Sequence, residues 1–396
     1  MFKRIILIIL DGVGIGALPD AINYGDQGAA TLQHVAQSVG GLSLPHLEQL
    51  GLGQIAAIEG VSKIQKPAGC WGKMAEKSPG KDSITGHWEL AGVVLEQPFA
   101  TFPQGFPKAI IDAFIAETGL EPLGNIAISG TDILRDLGEK HLQTGRPIIY
   151  TSSDSVFQIA AHEDIIPPEK LYSICRQTEK ILSPYKICRV IARPFRGTCA
   201  ADFYRTSGRH DFPCKPVTTT LLELLQKKGL STCGVGKIED LFAGEGLSDS
   251  FSTTDNQDGM DKTLQALDKI NSGLIMTNLV DFDMLYGHRL DSAGFAMALQ
   301  EFDGWLPQLL KKMVATDLLI ITADHGCDPT TPGTDHSREY VPLLLFSPDA
   351  DVTVDLGIRQ SFADVGATVA DNFQISLQSG CSFLSEIMPD TRGFLC

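Results

Sequence analysis

Residues 317–337 read DLLIITADHGCDPTTPGTDHS. The run Leu318-Leu319-Ile320-Ile321-Thr322 lacks polar alternation, the pattern of a strand buried on both faces in a parallel sheet. It stops at Asp324-His325-Gly326. Open α/β sheets collect their ligands outside the carboxyl ends of strands, so a carboxylate and an imidazole stand here where a site is expected. Eleven residues after His325, in a loop rich in Pro, Gly and Thr, comes His336. If that loop folds back over the strand end, one Asp and two His converge, a donor set suited to a transition metal with mixed nitrogen and oxygen preference. An Asp cap with two surface histidines is the competing account, and the rest of the chain decides between them.

Two more runs repeat the pattern. Ile5–Leu10 ends in Asp11 and a glycine-broken turn, Gly12-Val13-Gly14-Ile15-Gly16. The G-x-G-x-x-G spacing of a dinucleotide site is incomplete there, and an Asp leads it. Asp11 is a metal-ligand candidate or a cap for the turn. Gly273–Val280 ends in Asp281-Phe282-Asp283-Met284-Leu285-Tyr286-Gly287-His288, where Asp283 and His288 meet on one cation if the backbone turns at Tyr286-Gly287. Leu230–Val235, leading into Gly236-Lys237, and Pro342–Phe346 read as further strands. Thr31–Val39, Leu44–Leu50, Val217–Lys228, Asp258–Ile270, Asp291–Lys312 and Phe362–Asn372 read as helices. The longest carries an apolar stripe of Phe295, Leu299, Phe302, Leu306 and Leu310. Buried strands alternating with helices predict an α/β fold around a central, mostly parallel sheet.

A second stretch, Lys81-Asp82-Ser83-Ile84-Thr85-Gly86-His87-Trp88-Glu89-Leu90, puts hydroxyls where a helical pattern begins. Free N–H groups and the dipole at a helix N-terminus favour an anion such as a phosphoryl group. Serine is a weak nucleophile at its own pKa, and metal coordination is one way to activate it. The plain alternative is an Asp/Ser cap without chemistry.

Between residues 98 and 215 the texture changes. Pro98, Pro103 and Pro107 mark the entrance, and Pro213 and Pro216 mark the exit. Lys108–Thr118 and Pro168–Leu182 read as helices, Pro147–Thr151 and Cys188–Ala192 as strands. The expected organisation is a discontinuous core, 1–97 and 216–396, carrying an inserted smaller α/β cap domain, 98–215. The insert holds Arg189, Arg193, Arg196, Arg205 and Arg209, with Ser152 and Asp154 past a strand end. Clustered guanidinium forks suit phosphate oxygens, and a solvated basic face is the alternative.

The net charge of −16 over 396 residues argues against nucleic acid and anionic membrane as partners, and leaves room for a small anionic substrate. No apolar run reaches the roughly 18 residues of a membrane span. Met1–Leu10 runs straight into Asp11-Gly12 without a small-residue cleavage site, so a first core strand is expected there, not a signal peptide. The nine cysteines are scattered and odd in number, without a CxxC pair; reduced cytosolic thiols account for them most simply.

Asp11, Asp283, His288, Asp324, His325 and His336 are six candidate ligands from three strand ends and one loop, enough for two cations in one cleft. Paired metals roughly 3.5–4 Å apart recur in phosphoryl chemistry, and the hydroxyl between them would be Ser83 or Thr85.

This order resembles the alkaline phosphatase superfamily: Asp at strand one, Ser/Thr before Gly-His, D-x-x-x-x-H, D-H-G and a late His. Asp11–Gly16, KDSITGHWE at 81–89, YTSSDSVFQIAAHE at 150–163, RVIARPF at 189–195, DFDMLYGHRL at 281–290 and TADHGCDPTTPGTDHSREYVP at 322–342 resemble more closely the phosphopentomutase family. The likeness spans essentially the whole chain, the insert included. It implies an isomerase interconverting ribose or deoxyribose 1-phosphate and 5-phosphate, with two manganese ions and a sugar bisphosphate as intermediate and primer. It implies Asp11, Asp324 and His325 around one ion, and Asp283, His288 and His336 around the other. It also implies a phosphorylated hydroxyl, in the family usually a threonine four residues before the histidine of Gly-His. Ser83 stands there in this chain, with Thr85 the second candidate. Ser152, Asp154, Arg189, Arg205 and Lys237 match positions implied to hold the sugar hydroxyls and distal phosphate, and Arg193 and Arg209 are near alternatives. Ligand sets of this kind accept several divalent ions. The rival readings are a phosphatase or phosphodiesterase with the same metals, and a metal-dependent binding protein without turnover.

Overall fold

The computed structural model describes residues 1–152, 155–182, 185–349 and 353–388. The chain divides into two compact units, Met1–Gln97 with Pro216–Cys396, and Pro98–Lys215.

The first unit is built on an eight-stranded sheet. Its order is Asp249–Phe251, Ser231–Val235, Gly273–Leu279, Arg4–Leu10, Asp317–Thr322, Val341–Phe346, Cys70–Met74 and Asp355–Arg359. The first five run parallel, Val341–Phe346 runs against both its neighbours, and the last two are parallel to each other. Every residue of Arg4–Leu10, Gly273–Leu279 and Asp317–Thr322 is buried. These strands are covered on both faces, so their sequences carry no polar alternation.

Their register decides where the site falls. Arg4 lies opposite both Gly273 and Asp317, and Ile9 opposite both Asn278 and Thr322. The three carboxyl ends therefore finish level. At the other end the buried guanidinium of Arg4 bonds both oxygens of Asp317, at 3.0 and 2.5 Å, and the carbonyls of Leu267 and Ile270. A buried charge is tolerable when so fully partnered.

The helices fall close to expectation, with informative differences. The helix after Pro216 begins only at Leu221, because Thr220 caps it in a reciprocal box with Glu223. The helix expected from Asp258 starts at Asn256, with Asp255 as its cap. Along Ser292–Lys312 the buried stripe is Phe295, Leu299, Phe302, Leu306 and Leu309. Leu309, not Leu310, continues the alternating steps of four and three that keep one helical face inward.

The second unit has its own six-stranded sheet: Leu123–Ala127, Ile148–Thr151, Val156–His162, Arg189–Arg196 and Tyr204–Arg205 in order, with His210–Pro213 also paired to Arg189–Arg196. Phe157, Ile159 and Ala161 join one apolar cluster with Ile110, Phe114, Leu171 and Ile174 of the helices Lys108–Thr118 and Pro168–Leu182. Ala160, Ile148 and Tyr150 join a second cluster with Ile133 and Leu134 of the helix Gly130–Thr144. Alternate residues of one strand thus feed two cores, one per face.

Candidate active site

Asp11 follows the first strand directly and is fully buried. Its Oδ1 lies 3.3 Å from His325 Nε2 and 3.5 Å from Ser83 Oγ, while its Oδ2 accepts a 2.9 Å hydrogen bond from Asn278 Nδ2. Asp324 lies just past Asp317–Thr322. Its Oδ1 accepts from the Gly12 amide at 3.1 Å, and its Oδ2 sits 3.3 Å from His325 Nε2 and 3.1 Å from His87 Nδ1. Beyond Gly273–Leu279 the chain winds through a π-helical turn, Phe282–Tyr286, and a 3-10 turn, Gly287–Arg289. This carries Asp283 Oδ2 to 3.2 Å from His288 Nε2. The loop after Asp324 folds back: His336 Nε2 lies 3.3 Å from Asp283 Oδ1, and its ring stacks on His325 with centroids 4.0 Å apart. His288 is anchored from behind, Nδ1 to the Thr334 carbonyl at 2.6 Å.

All six expected ligands are thus brought together. Donor atoms of Asp11, Asp324 and His325 lie within 4.8 Å of one another, as do those of Asp283, His325 and His336, and those of Asp283, His288 and Cys327. His325 belongs to two of these sets, so they adjoin. The fit to a cation rests on the donors themselves. Among the described residues, Asp283 Oδ1, Asp324 Oδ2 and His336 Nε2 are buried without a hydrogen-bond partner. Buried acceptors in one cleft without partners are what a cation would satisfy.

The electrostatics agree. Burial alone would raise the Asp283 carboxyl, but the His288 and His336 imidazoles beside it, with His325, hold it well below the usual carboxylate range. Against the same penalty, His325 and His87 hold Asp324 at about 2. Burial would lower His325, yet Asp324, Asp11 and Asp283 hold it well above the usual histidine value. The Cys327 thiol is pushed far up by burial and by Asp283, so it stays protonated beside the site.

The helix Ser83–Leu90 delivers the hydroxyls. Asp82 is its N-cap: Oδ1 accepts from the Thr85 amide at 3.0 Å, and Oδ2 accepts the Thr85 hydroxyl at 2.6 Å. Thr85 is therefore engaged in the cap and buried. Ser83, one residue into the helix, turns its Oγ to 3.0 Å from His325 Nε2. The helix can come this close because residue 86 is glycine; a Cβ there would fall 2.1 Å from the Asp324 carbonyl oxygen. The rest of the motif is anchorage. Trp88 Nε1 donates to the Leu241 carbonyl, and buried Glu89 accepts from the amides of Lys77, Ser78 and Phe362 and from the Ser361 hydroxyl.

Of the two carboxylates in Asp281-Phe282-Asp283, only the second enters the site. Asp281 instead accepts from the Asn256 amide at 2.7 Å and holds the start of the helix Asn256–Lys269. Lys237 precedes the short helix Ile238–Leu241, and its charge acts on Asp281.

In the second unit, Ser152 follows the strand Ile148–Thr151, and Asp154 lies outside the described residues. Arg189 and Arg209 share Asp211, at 3.4 and 2.8 Å, and Arg193 Nε donates to Gln158 at 3.0 Å. Arg193 is held below its usual value first by burial and then by the positive charges of Arg209 and Arg205. Arg205 acts with Arg193 and Arg209 on the buried Tyr150 hydroxyl. Arg196 stands apart, paired with Glu163 at 2.6 Å.

Sequence reasoning passed over Asn278, His87 and Arg338. Asn278 had a signal: with Thr277, it is a polar residue inside an otherwise apolar strand.

The family model described as the metalloenzyme superfamily matches residues 3–377, and the chain is a member of that superfamily. A solved structure of a protein from Pyrococcus horikoshii, 16% identical, aligns with a TM-score of 0.50 over 96% of this chain and 100% of that one, a likeness of fold. The phosphopentomutase of Syntrophotalea carbinolica is 58% identical over 387 residues, 98% of this chain and 99% of its own. That of Desulfitobacterium hafniense is 54% identical over 388 residues, 98% of this chain and 100% of its own. The chain belongs to the phosphopentomutase family and is an isomerase of the phosphotransferase kind. Among the described residues no helix is long and apolar enough to cross a membrane.

Proposed function

We propose that this enzyme interconverts the 1-phosphate and 5-phosphate of ribose or deoxyribose through a phosphorylated Ser83 and a sugar bisphosphate. The observation that carries this is the position of Ser83 Oγ, 3.0 Å from His325 Nε2 and 3.5 Å from Asp11 Oδ1, where the ligand sets adjoin. Asp11, Asp324 and His325 would hold one divalent cation, and Asp283, His288 and His336 the other, manganese in both. Bound there, the pair would supply Lewis-acid neutralisation of phosphoryl charge and favour the ionised form of a neighbouring hydroxyl.

The protein's own groups do the rest. The phosphoryl group passes from Ser83 Oγ to the free hydroxyl of the sugar phosphate; the bond to Ser83 breaks as that to the sugar forms, and the hydroxyl proton returns to the serine side. The resulting bisphosphate then gives its other phosphoryl group back to Ser83. Both ends of one sugar must therefore be bound alternately, and the arginines of the insert suit the phosphate that is not reacting. Arg189, Arg205, Ser152, Asp154 and Lys237 are assigned to the sugar hydroxyls and distal phosphate, and the insert to a cap that limits hydrolysis of the phosphoenzyme. The crowding of Arg193, Arg205 and Arg209 supports this, because it leaves positive charge that an anion would neutralise.

The test is intact-protein mass after brief incubation with a pentose bisphosphate, then peptide mapping. One phosphoryl group on the 81–89 peptide, discharged by ribose 5-phosphate with formation of ribose 1-phosphate, is the expected result. Absence of an adduct with steady release of inorganic phosphate would replace the mutase by a phosphatase using the same groups.

A further inference from the structure

Asp11 is a fully buried carboxylate whose two oxygens face different surroundings. Oδ1 faces His325 and Ser83, whereas Oδ2 takes the 2.9 Å hydrogen bond from Asn278 Nδ2. Asn278 lies on the strand Gly273–Leu279 opposite Ile9, so its side chain is set beside the end of the first strand by sheet register. It is 1% exposed, and among the described residues its own Oδ1 has no hydrogen-bond partner. A buried amide that leaves its carbonyl unsatisfied while spending its N–H on a carboxylate is placed for that carboxylate. The opposite amide orientation would set a carbonyl oxygen against Asp11 and is electrostatically unfavourable. The backbone of Asn278 is itself clamped. Gly236, at φ +81°, approaches so closely that a Cβ on it would lie 2.4 Å from the Asn278 carbonyl oxygen.

We infer that Asn278 is a positioning residue for the centre. By holding Oδ2 it fixes the plane of the Asp11 carboxylate and reserves Oδ1 for a cation and for the face turned to Ser83. A carboxylate without that donor can rotate, and it is left buried with one oxygen unbonded. Donors behind a metal ligand typically affect metal affinity by about 10- to 100-fold. This inference rests on the metal-binding reading of Asp11, and one titration separates the two.

Metal-stripped wild type, Asn278→Leu and Asn278→Asp are titrated with manganese alone, and free ion is read by electron paramagnetic resonance. Leucine keeps the size and removes the donor; an ionised aspartate keeps the shape and sets an acceptor against Asp11 where the donor stood. The expected result is two ions on the wild type. On each variant one ion should bind with wild-type affinity and the other about 10- to 100-fold more weakly. A purely packing role would shift unfolding and leave both affinities alone, and two wild-type affinities in either folded variant would overturn the inference. Should Asn278→Leu not fold, the isosteric Asn278→Asp decides by the same criterion. A wild type that takes up no manganese would overturn the metal reading itself, and this inference with it.

Discussion

Ser83 Oγ and His325 Nε2 lie 3.0 Å apart, joining the first turn of the helix Ser83–Leu90 to the end of the strand Asp317–Thr322. The hydroxyl thus meets a nitrogen that also faces Asp11 and Asp324. Replacing Ser83 by Ala removes one oxygen and none of the six carboxylate and imidazole groups. Mutase turnover should fall by about three orders of magnitude or more, the scale of losing a nucleophile. Manganese content, measured on the same sample, should stay at the wild-type level. Ser83→Thr should keep most of the activity. A Ser83→Ala enzyme that still turns over would remove the phosphoserine from the scheme.

Thr85 offers the contrasting case. Its hydroxyl is spent on Asp82, so Thr85→Val should leave phosphorylation of the 81–89 peptide in place. The cost should be in stability, about 1 kcal/mol for a weakened N-cap, read from urea denaturation. Loss of the phosphopeptide in Thr85→Val, with Ser83 intact, would instead make Thr85 the acceptor.

The centre should exchange protons for metal. His325 is raised above the usual histidine value against its burial, by Asp324, Asp11 and Asp283. His288 is raised first by its hydrogen bond with Asp283. Imidazoles must be neutral to ligate, so metal uptake at neutral pH should release protons and strengthen as pH rises. The sign for the metal-free fold is opposite. Stability from these raised histidines is complete below the ordinary histidine pKa and is lost as pH climbs through the raised values. Asp283 and Asp324, both held low, lose their contribution only as pH falls into the acid range. Calorimetric manganese titrations near pH 7 in two buffers of different ionisation heat would measure the protons released; a heat independent of buffer would contradict this.

How much was legible in the sequence depended on where each residue's environment is decided. The strands at 4–10, 273–279 and 317–322 were visible because burial on both faces leaves a largely apolar run, and the ligands stood at their ends. Cys70–Met74 was missed because it alternates buried and half-buried residues over only five positions. The helix Gly130–Thr144 was missed because it opens on a glycine, a poor helix former, and depends on the Ser129 cap. The choice between Asp281 and Asp283 was readable only in part, since the π-helical turn that separates them is not a sequence pattern. Asn278 meets Asp11 through strand register and His87 meets Asp324 through the packing of the helix Ser83–Leu90, contacts that no local spacing reports.

The clearest case of hidden long-range organisation also carries a prediction. Arg338, two residues after His336, is 3% exposed. Its guanidinium bonds Glu76 Oε2 at 2.7 Å, Asp20 Oδ2 at 3.1 Å, and the carbonyls of Glu76, Ser78 and Gly80 at 2.8, 2.8 and 2.6 Å. It therefore ties the loop bearing His336 to the segment leading into Ser83. Burial pushes the Glu76 carboxyl well above its usual range while Arg338 opposes that shift, so each group depends on the other. Arg338→Met should cost about 3–5 kcal/mol, because it strands a buried carboxylate and three carbonyls. Adding Glu76→Gln should return part of that loss, since the stranded charge goes with it. The double variant is then less destabilised than the two single losses summed, a coupling that denaturation of all four proteins would measure. Strict additivity would mean that Arg338 acts through Asp20 and the carbonyls, and that the ion pair with Glu76 contributes nothing to holding the two loops together.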